Sequence, residues 1–427
     1  VPPSPSRVPF RGWRMVAVAF LVDFIAVGFF FYSFGVFYKH IDADFAGASF
    51  WVAMGISVSN LVSGVFAPFI GRALDRHPIR NVMLLGATIV SAGFALLSRT
   101  AAIWQYYLVL GTFFAFGIGM MGGMASSKLV ANWFIVRRGT AFGIATMGVS
   151  FSGMVMPAVA QWLISHVGWR HGFEIYAVGI LVVVVPVVAL LVVTRPEDIG
   201  QRPDGEDPEA PPPEVVEPER VWSTGEILRS PRFWIIALPF AAVFSSLSAV
   251  LIHVVPYAHD LGVTGYWAAA VLQISAGAGM LGKLVFGRLV DHFDARLAVG
   301  ASFGTQIVGL ALLLLATGPV GLVAAGLVFG FGMGGVIPLQ GAVCGAAFGR
   351  LSFGAVTGLM RPVQVPLHAL GIPLAAWIHD ATGSFHPAFW TFLGVYALSC
   401  LAIAALRMPE RSRAPHASSV SPASPSV

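Results

Sequence analysis

The chain has 427 residues, 57% of them hydrophobic and only 11% charged. So few charges cannot cover a water-soluble domain of this size, which excludes soluble enzymes and soluble binding modules. The formal net charge of +5 is not a nucleic-acid signal, because the basic residues are distributed by topology.

A helix needs about 20 apolar residues to cross the hydrocarbon of a bilayer. Twelve such stretches are predicted, at 13–38, 50–71, 81–98, 103–127, 139–165, 172–194, 232–258, 266–287, 297–317, 319–345, 353–379 and 387–407. The 48 glycines and 28 prolines suit membrane helices that pack closely and bend. With the N-terminus inside, 19 of the 25 Lys and Arg fall in cytoplasmic segments. Lys39, Arg99 and Arg170 fall in external loops, and Lys128, Lys283 and Arg361 within spans. Both termini are therefore expected in the cytoplasm, on an inner or plasma membrane.

In chain order, residues 1–12 form a tail without the apolar core of a signal peptide, so the first helix is expected to direct insertion. Residues 13–194 carry six spans. Asp23 is the one acid deep within a span, about 15 Å past Trp13. It is a candidate counter-ion to the interior cations, or a proton-coupling site. Tyr32, further along the same helix, is either a hydrogen-bond donor to a ligand or an ordinary packed aromatic. The second helix ends on Gly71-Arg72-Ala73-Leu74-Asp75, with Arg76 and Arg80 following. Lys128, near the inner end of the fourth span, is expected to snorkel to the interface. Gly139, Gly143, Gly148 and Gly153 let the fifth helix pack closely.

Residues 195–231 are charged and proline-rich, and are expected to form a largely disordered cytoplasmic linker. A short surface helix over EILRSPRFW is expected at its end. Residues 232–410 carry the second six spans, and 411–427 a Ser/Pro/Ala tail expected to be disordered. The second half repeats the first. Gly287, Arg288, Asp291 and Arg296 recur 216 residues after Gly71, Arg72, Asp75 and Arg80, as in 287 − 71. Gly354 and Gly358 echo Gly139 and Gly143 at a spacing of 215, as in 354 − 139. Gly71, Asp75, Arg76, Arg80, Gly287, Asp291 and Arg296 are therefore candidates for a conformational gate at the inner helix ends.

Lys283 lies eight residues before Asp291, and Arg361 eight after Phe353, so each is about 12 Å deep. A cation at that depth costs about 2.5–3.5 kcal/mol if it faces lipid. Both are expected to line a central cavity and bind an anion, or else to be tied to helix carbonyls or Asp23. Gln364 and His368 share a helical face with Arg361; Gln364 is a second ligand contact and His368 a second proton-coupling candidate. Pro362, Pro366 and Pro373 interrupt this helix and free backbone carbonyls. Cys344 and Cys400 lie in spans, so no disulfide is expected. No phosphate-binding glycine loop and no His/Cys/Asp cluster is visible, so neither an ATP motor, a metal nor any other cofactor is expected.

The paired half-sequences, with Gly71, Asp75, Arg76 and Arg80 after the second helix, resemble the major facilitator superfamily. Pro78 stands where that family's loop motif usually has glycine. Three stretches are similar to the monocarboxylate and oxalate/formate transporters. These are Gly12-Trp13 with Tyr32–Phe37, then Ala131–Phe134 with Arg137–Gly143, and the cations of the eighth and eleventh helices. The resemblance implies an all-α membrane protein of twelve helices in two six-helix halves, working by alternating access on a small carboxylate. A monocarboxylate is the substrate expected, carried with a proton or exchanged for another carboxylate by a monomer. Animal relatives have an acid one turn before the eighth-helix cation; here Gly279 stands there, so their relay is not carried over. Two other readings stay open: efflux of a hydrophobic compound, and a membrane sensor that binds a carboxylate without moving it.

Overall fold

The computed structural model describes residues 9–45, 49–205, 220–263 and 266–407, and among these every regular element is helical. We label the long helices α1 Gly12–Asp44, α2 Ser49–Arg76, α3 Ile79–Leu97 and α4 Ile103–Trp133. The stretch Arg138–Leu191 runs on without an assigned break, but Gly168 has φ +79° and ψ 168°. That backbone is not helical and kinks the chain, so the stretch holds two helices, α5 (138–167) and α6 (169–191). Then follow α7 Pro231–Asp260, α8 Tyr266–His292, α9 Ala295–Leu315 and α10 Pro319–Phe348. The last are α11 Phe353–Thr382 and α12 His386–Ala404. Ten of the described stretches are long and apolar enough to cross a membrane, one of them being the α5–α6 run. Helix α11 is 30 residues long but falls outside that set; Arg361, Gln364, His368 and three prolines dilute its apolarity.

Local chemistry explains where these helices begin and end. Pro78 precedes α3, and proline opens α7 and α10, where its fixed φ suits a first turn and its missing N–H costs nothing. Asp294 caps α9 through the N–H of Arg296. Gly383, with φ +72°, closes α11 in the left-handed conformation.

The linker departs from the expected disorder in its first described part. Asp204 accepts hydrogen bonds from the N–H groups of Ile135, Val136 and Arg137 at 2.7, 2.8 and 2.9 Å. Gln201 bonds to Arg11 N and Pro9 O. Residues 196–205 are thus fastened to the helix ends by backbone donors that sequence cannot pair in advance. The expected surface helix forms as Thr224–Arg229, capped reciprocally by Ser223 and Glu226. The Ser223 N–H, its hydroxyl and the Arg220 guanidinium hold the exposed Glu226 carboxyl down at about 2. Residues 206–219, and the tail at 411–427, lie outside the described residues.

Each half has its own aromatic core. Phe29, Phe30, Phe94, Phe114, Phe173 and Tyr176 interlock in the first. Phe29 and Phe30 therefore pack within their half. The halves meet along two seams, α2 against α11 and α5 against α8. Lipid offers no hydrophobic drive between helices, so close backbone contact has to hold these seams. The glycines provide it. A Cβ on Gly71 would lie 2.0 Å from Gly354 O, and one on Gly139 would lie 2.2 Å from Gly287 O.

Candidate functional site

The seams are pinned at the end of the bundle that carries the termini. Asp75, at the end of α2, accepts hydrogen bonds from Gly354 N (2.9 Å) and Ala355 N (2.6 Å), the start of α11. Asp291, at the end of α8, accepts from Gly139 N (2.6 Å), Thr140 N (2.8 Å) and Thr140 Oγ1 (2.6 Å), the start of α5. Each carboxylate meets the positive end of a helix in the other half. The residues echoed in sequence make echoed contacts.

The two seams differ in one respect. Lys128, 2% exposed, forms an ion pair with Asp75 at 2.6 Å and donates to the carbonyl of Arg350. It does not snorkel; the sequence expectation fails because Asp75, from another helix, provides a buried counter-charge. Four gate candidates touch the opposite half: Gly71, Asp75, Gly287 and Asp291. Arg76 and Arg80 are exposed and form no ion pair among the described residues. Arg296 is held by Asp294 in its own half, at 2.9 Å through both Nε and Nη2.

Deeper in, the interior layer begins. Lys283 lies two turns from Asp291 on the face of α8 that meets α5, where its carbonyl would be 2.6 Å from a Cβ on Gly143. Its ammonium donates to Thr146 O (2.8 Å) and Ser150 Oγ (2.6 Å), and the residue is 6% exposed. Of the two readings left open for Lys283, cavity lining or a tie to helix carbonyls, these contacts match the second. The small residues of α5 bring a backbone carbonyl and a hydroxyl within reach, and the charge is spent there.

Arg361 is placed differently. Gly354, Gly358 and Val365 share its helical face, and all three press on α2, at Gly71, Ala67 and Gly64 respectively. That face therefore looks into the space between the halves, not into lipid. Arg361 is nevertheless exposed, and it makes no hydrogen bond or ion pair among the described residues. By the repeat, Arg361 corresponds to Thr146 (361 − 146 = 215) and Lys283 to Ala67 (283 − 67 = 216). The two cations thus stand in one layer but on different seams.

The other candidates surround this layer. Gln364 is buried, and its amide Nε2 has no partner among the described residues. His368 is exposed, with Nε2 hydrogen-bonded to Ser248 Oγ of α7 at 2.7 Å. Tyr32 is 38% exposed and leans over Gly153, where a Cβ would lie 2.8 Å from its ring. Asp23 is buried and accepts a hydrogen bond from Gly123 N at 2.7 Å. Gly123, with φ +47°, is where α4 breaks before restarting at Met124. Lys283 is the cation whose field reaches Asp23, though no ion pair joins them. Thr146, Ser150 and Ser248 were not singled out from sequence. Each is a small hydroxyl residue of ordinary kind, and only its neighbour gives it meaning.

Comparison with known proteins agrees with this architecture. Residues 16–365 match the family model of the Major Facilitator Superfamily. The chain belongs to that superfamily. Monocarboxylate transporter 11 of Homo sapiens is 29% identical over 409 residues, covering 91% of this chain and 81% of the relative. Monocarboxylate transporter 13 of Bos taurus is 26% identical over 385 residues, covering 88% and 85%. Among solved structures, the Escherichia coli fucose:proton symporter superposes with a TM-score of 0.69 at 15% identity, over 92% of this chain and 98% of that one. The human organic anion transporter MFSD10 (TETRAN) gives 0.68 at 16%, over 92% and 99%. At such identity these two speak for the fold alone. This superfamily member is a multi-pass membrane transporter and not an enzyme.

Proposed function

We propose that this transporter carries a small organic monoanion, a monocarboxylate, by alternating access of its two halves. The observation that carries the reading is Arg361: exposed between the halves and without a partner among the described residues. Its planar fork suits bidentate binding of a carboxylate. The charge count supports a single negative charge. Lys283 is satisfied by α5 and opposed by Asp23, which leaves one uncompensated cation. Gln364, with its amide donor unpaired among the described residues, and Tyr32, exposed on α1, are the proposed further contacts. The names of the relatives, monocarboxylate transporters, favour the same substrate class.

Asp23 is the proposed proton-coupling residue. Protonating it would remove the charge that opposes Lys283 and loosen that cation's attachment across the seam, which links proton binding to rocking. The Asp75 and Asp291 clamps close the terminus-bearing end. By the positive-inside pattern that end is cytoplasmic, so this state opens outward from a cell's inner or plasma membrane. The protein is proposed to act as a monomer.

The test is thermal stabilisation of the purified protein against mono- and dicarboxylates, beside Arg361→Gln and Lys283→Gln. A ligand that binds the native state raises Tm by mass action. A monocarboxylate should stabilise the wild type and Lys283→Gln but not Arg361→Gln. Stabilisation only by dicarboxylates would overturn the monoanion. Equal stabilisation of all three by lipophilic compounds, with none by any acid, would replace the reading with efflux.

A further inference from the structure

The geometry points to a second polar layer, formed by Tyr32 and the Ser248–His368 pair, that reads a hydroxyl or carbonyl at the far end of the transported acid. The substrate class is then a monocarboxylate with a distal oxygen, not a plain alkyl acid. This inference rests on the monocarboxylate reading of Arg361.

His368 lies seven residues beyond Arg361 on one face of α11, which is about 10 Å along the helix. Ser248 Oγ holds its Nε2 at 2.7 Å, while its Nδ1 has no partner among the described residues. The serine thus fixes the ring and leaves one nitrogen for something else. The first half reaches the same level by another route. His368 corresponds in the repeat to Gly153 (368 − 153 = 215), and Ser248 to Tyr32 (248 − 32 = 216). Where α11 sends a histidine toward a small residue of α7, α1 sends Tyr32 over Gly153 of α5. The Tyr32 hydroxyl also lacks a partner among the described residues; Tyr32 and His368 are exposed and Ser248 is half-buried. By the repeat the two groups stand at corresponding levels of their halves, each with a polar atom unpaired among the described residues.

A hydroxyl both donates and accepts, so it satisfies the Tyr32 hydroxyl and His368 Nδ1 in either imidazole tautomer. An alkyl end would displace water from these groups and return nothing, which disfavours it. Hydrogen bonds at each end take up about 3 Å. That leaves about 4 Å between the ligand's own polar atoms, within reach of a four-carbon chain with a terminal hydroxyl. A 2-hydroxy acid, whose hydroxyl adjoins its carboxylate, cannot bridge the two layers.

The probes are butyrate, 2-hydroxybutyrate and 4-hydroxybutyrate, titrated by thermal shift on the full-length purified protein. The wild type should half-saturate with 4-hydroxybutyrate at about tenfold lower concentration than with either other acid. In Ser248→Ala and in His368→Phe the ratio should collapse toward one, and Ser248→Thr, which keeps the hydroxyl, should restore it. Equal affinity of the wild type for butyrate and 4-hydroxybutyrate overturns the inference but leaves Arg361 as the anion site. So does a preference that survives in both variants. If none of the acids binds and Arg361→Gln behaves as wild type, the monocarboxylate reading itself has failed.

Discussion

Arg361 and Lys283 carry the same charge at the same depth, yet their neighbours assign them different work. Arg361 has no partner among the described residues, and Lys283 has two in the opposite half. Arg361→Lys keeps the charge but loses the fork, so half-saturation should weaken about tenfold, where Arg361→Gln should abolish saturable uptake. Lys283→Gln should act mainly on turnover. Its maximal rate should fall while half-saturation stays within about threefold, because the bonds it removes join helices and not ligand. Initial rates in proteoliposomes separate these patterns. Lys128 is a third case. Replacing it with Met leaves Asp75 buried without its ion pair, at a cost of about 3 kcal/mol. Adding Asp75→Asn should recover part of the loss, read as Tm of the single and double variants.

Helices α2, α5, α8 and α11 work as pairs whose glycines allow backbone contact. Valine at Gly71 or Gly139 would force its seam apart, since the added Cβ would sit about 2 Å from a carbonyl oxygen. Those variants should populate the state open at the terminus-bearing end. A cysteine at Ala355, now donating its N–H to Asp75 at 2.6 Å, should then label with maleimide from that side faster than in the wild-type background. Unchanged labelling would count against the seams as moving parts. The repeat made this much legible: two aspartates and six glycines echoed at spacings of 215 or 216 announce paired roles. The partners were hidden, because a carboxylate at the end of α2 is silent about which N-terminus it will cap. Nothing in the spacing foretold that α11 is its match.

Across the whole molecule, the linker joins the clamps. Glu197, just after α6, pairs with Arg350 of the loop before α11 at 2.6 Å, and Arg350 also donates to Asn132 O. At the linker's other end, Trp222 N donates to Ser352 Oγ at 2.8 Å. The Glu197–Arg350 pair crosses between the halves, so opening that end must break it. Its partial exposure limits its worth to about 1 kcal/mol or less, screened by salt. Glu197→Gln should therefore shift the conformational balance about threefold toward the open end, with a smaller effect at high ionic strength. Labelling of the same Ala355→Cys reporter measures both.

The sequence by itself determined the class of the molecule. Apolar stretches of spanning length, basic residues on alternate sides and a half-chain repeat admit few other solutions, because a bilayer allows helices and little else. It also found the depth of Asp23, Lys283 and Arg361, since depth is a count of residues along a helix. Only the tertiary structure decided which charges are spent. Lys128 and Lys283 found acceptors on helices remote in sequence, Arg361 did not, and part of the linker found backbone donors to hold it. The reason is physical. Depth and periodicity are properties of one helix, whereas a free charge is defined by the absence of a partner, and that absence exists only once every other helix is in place.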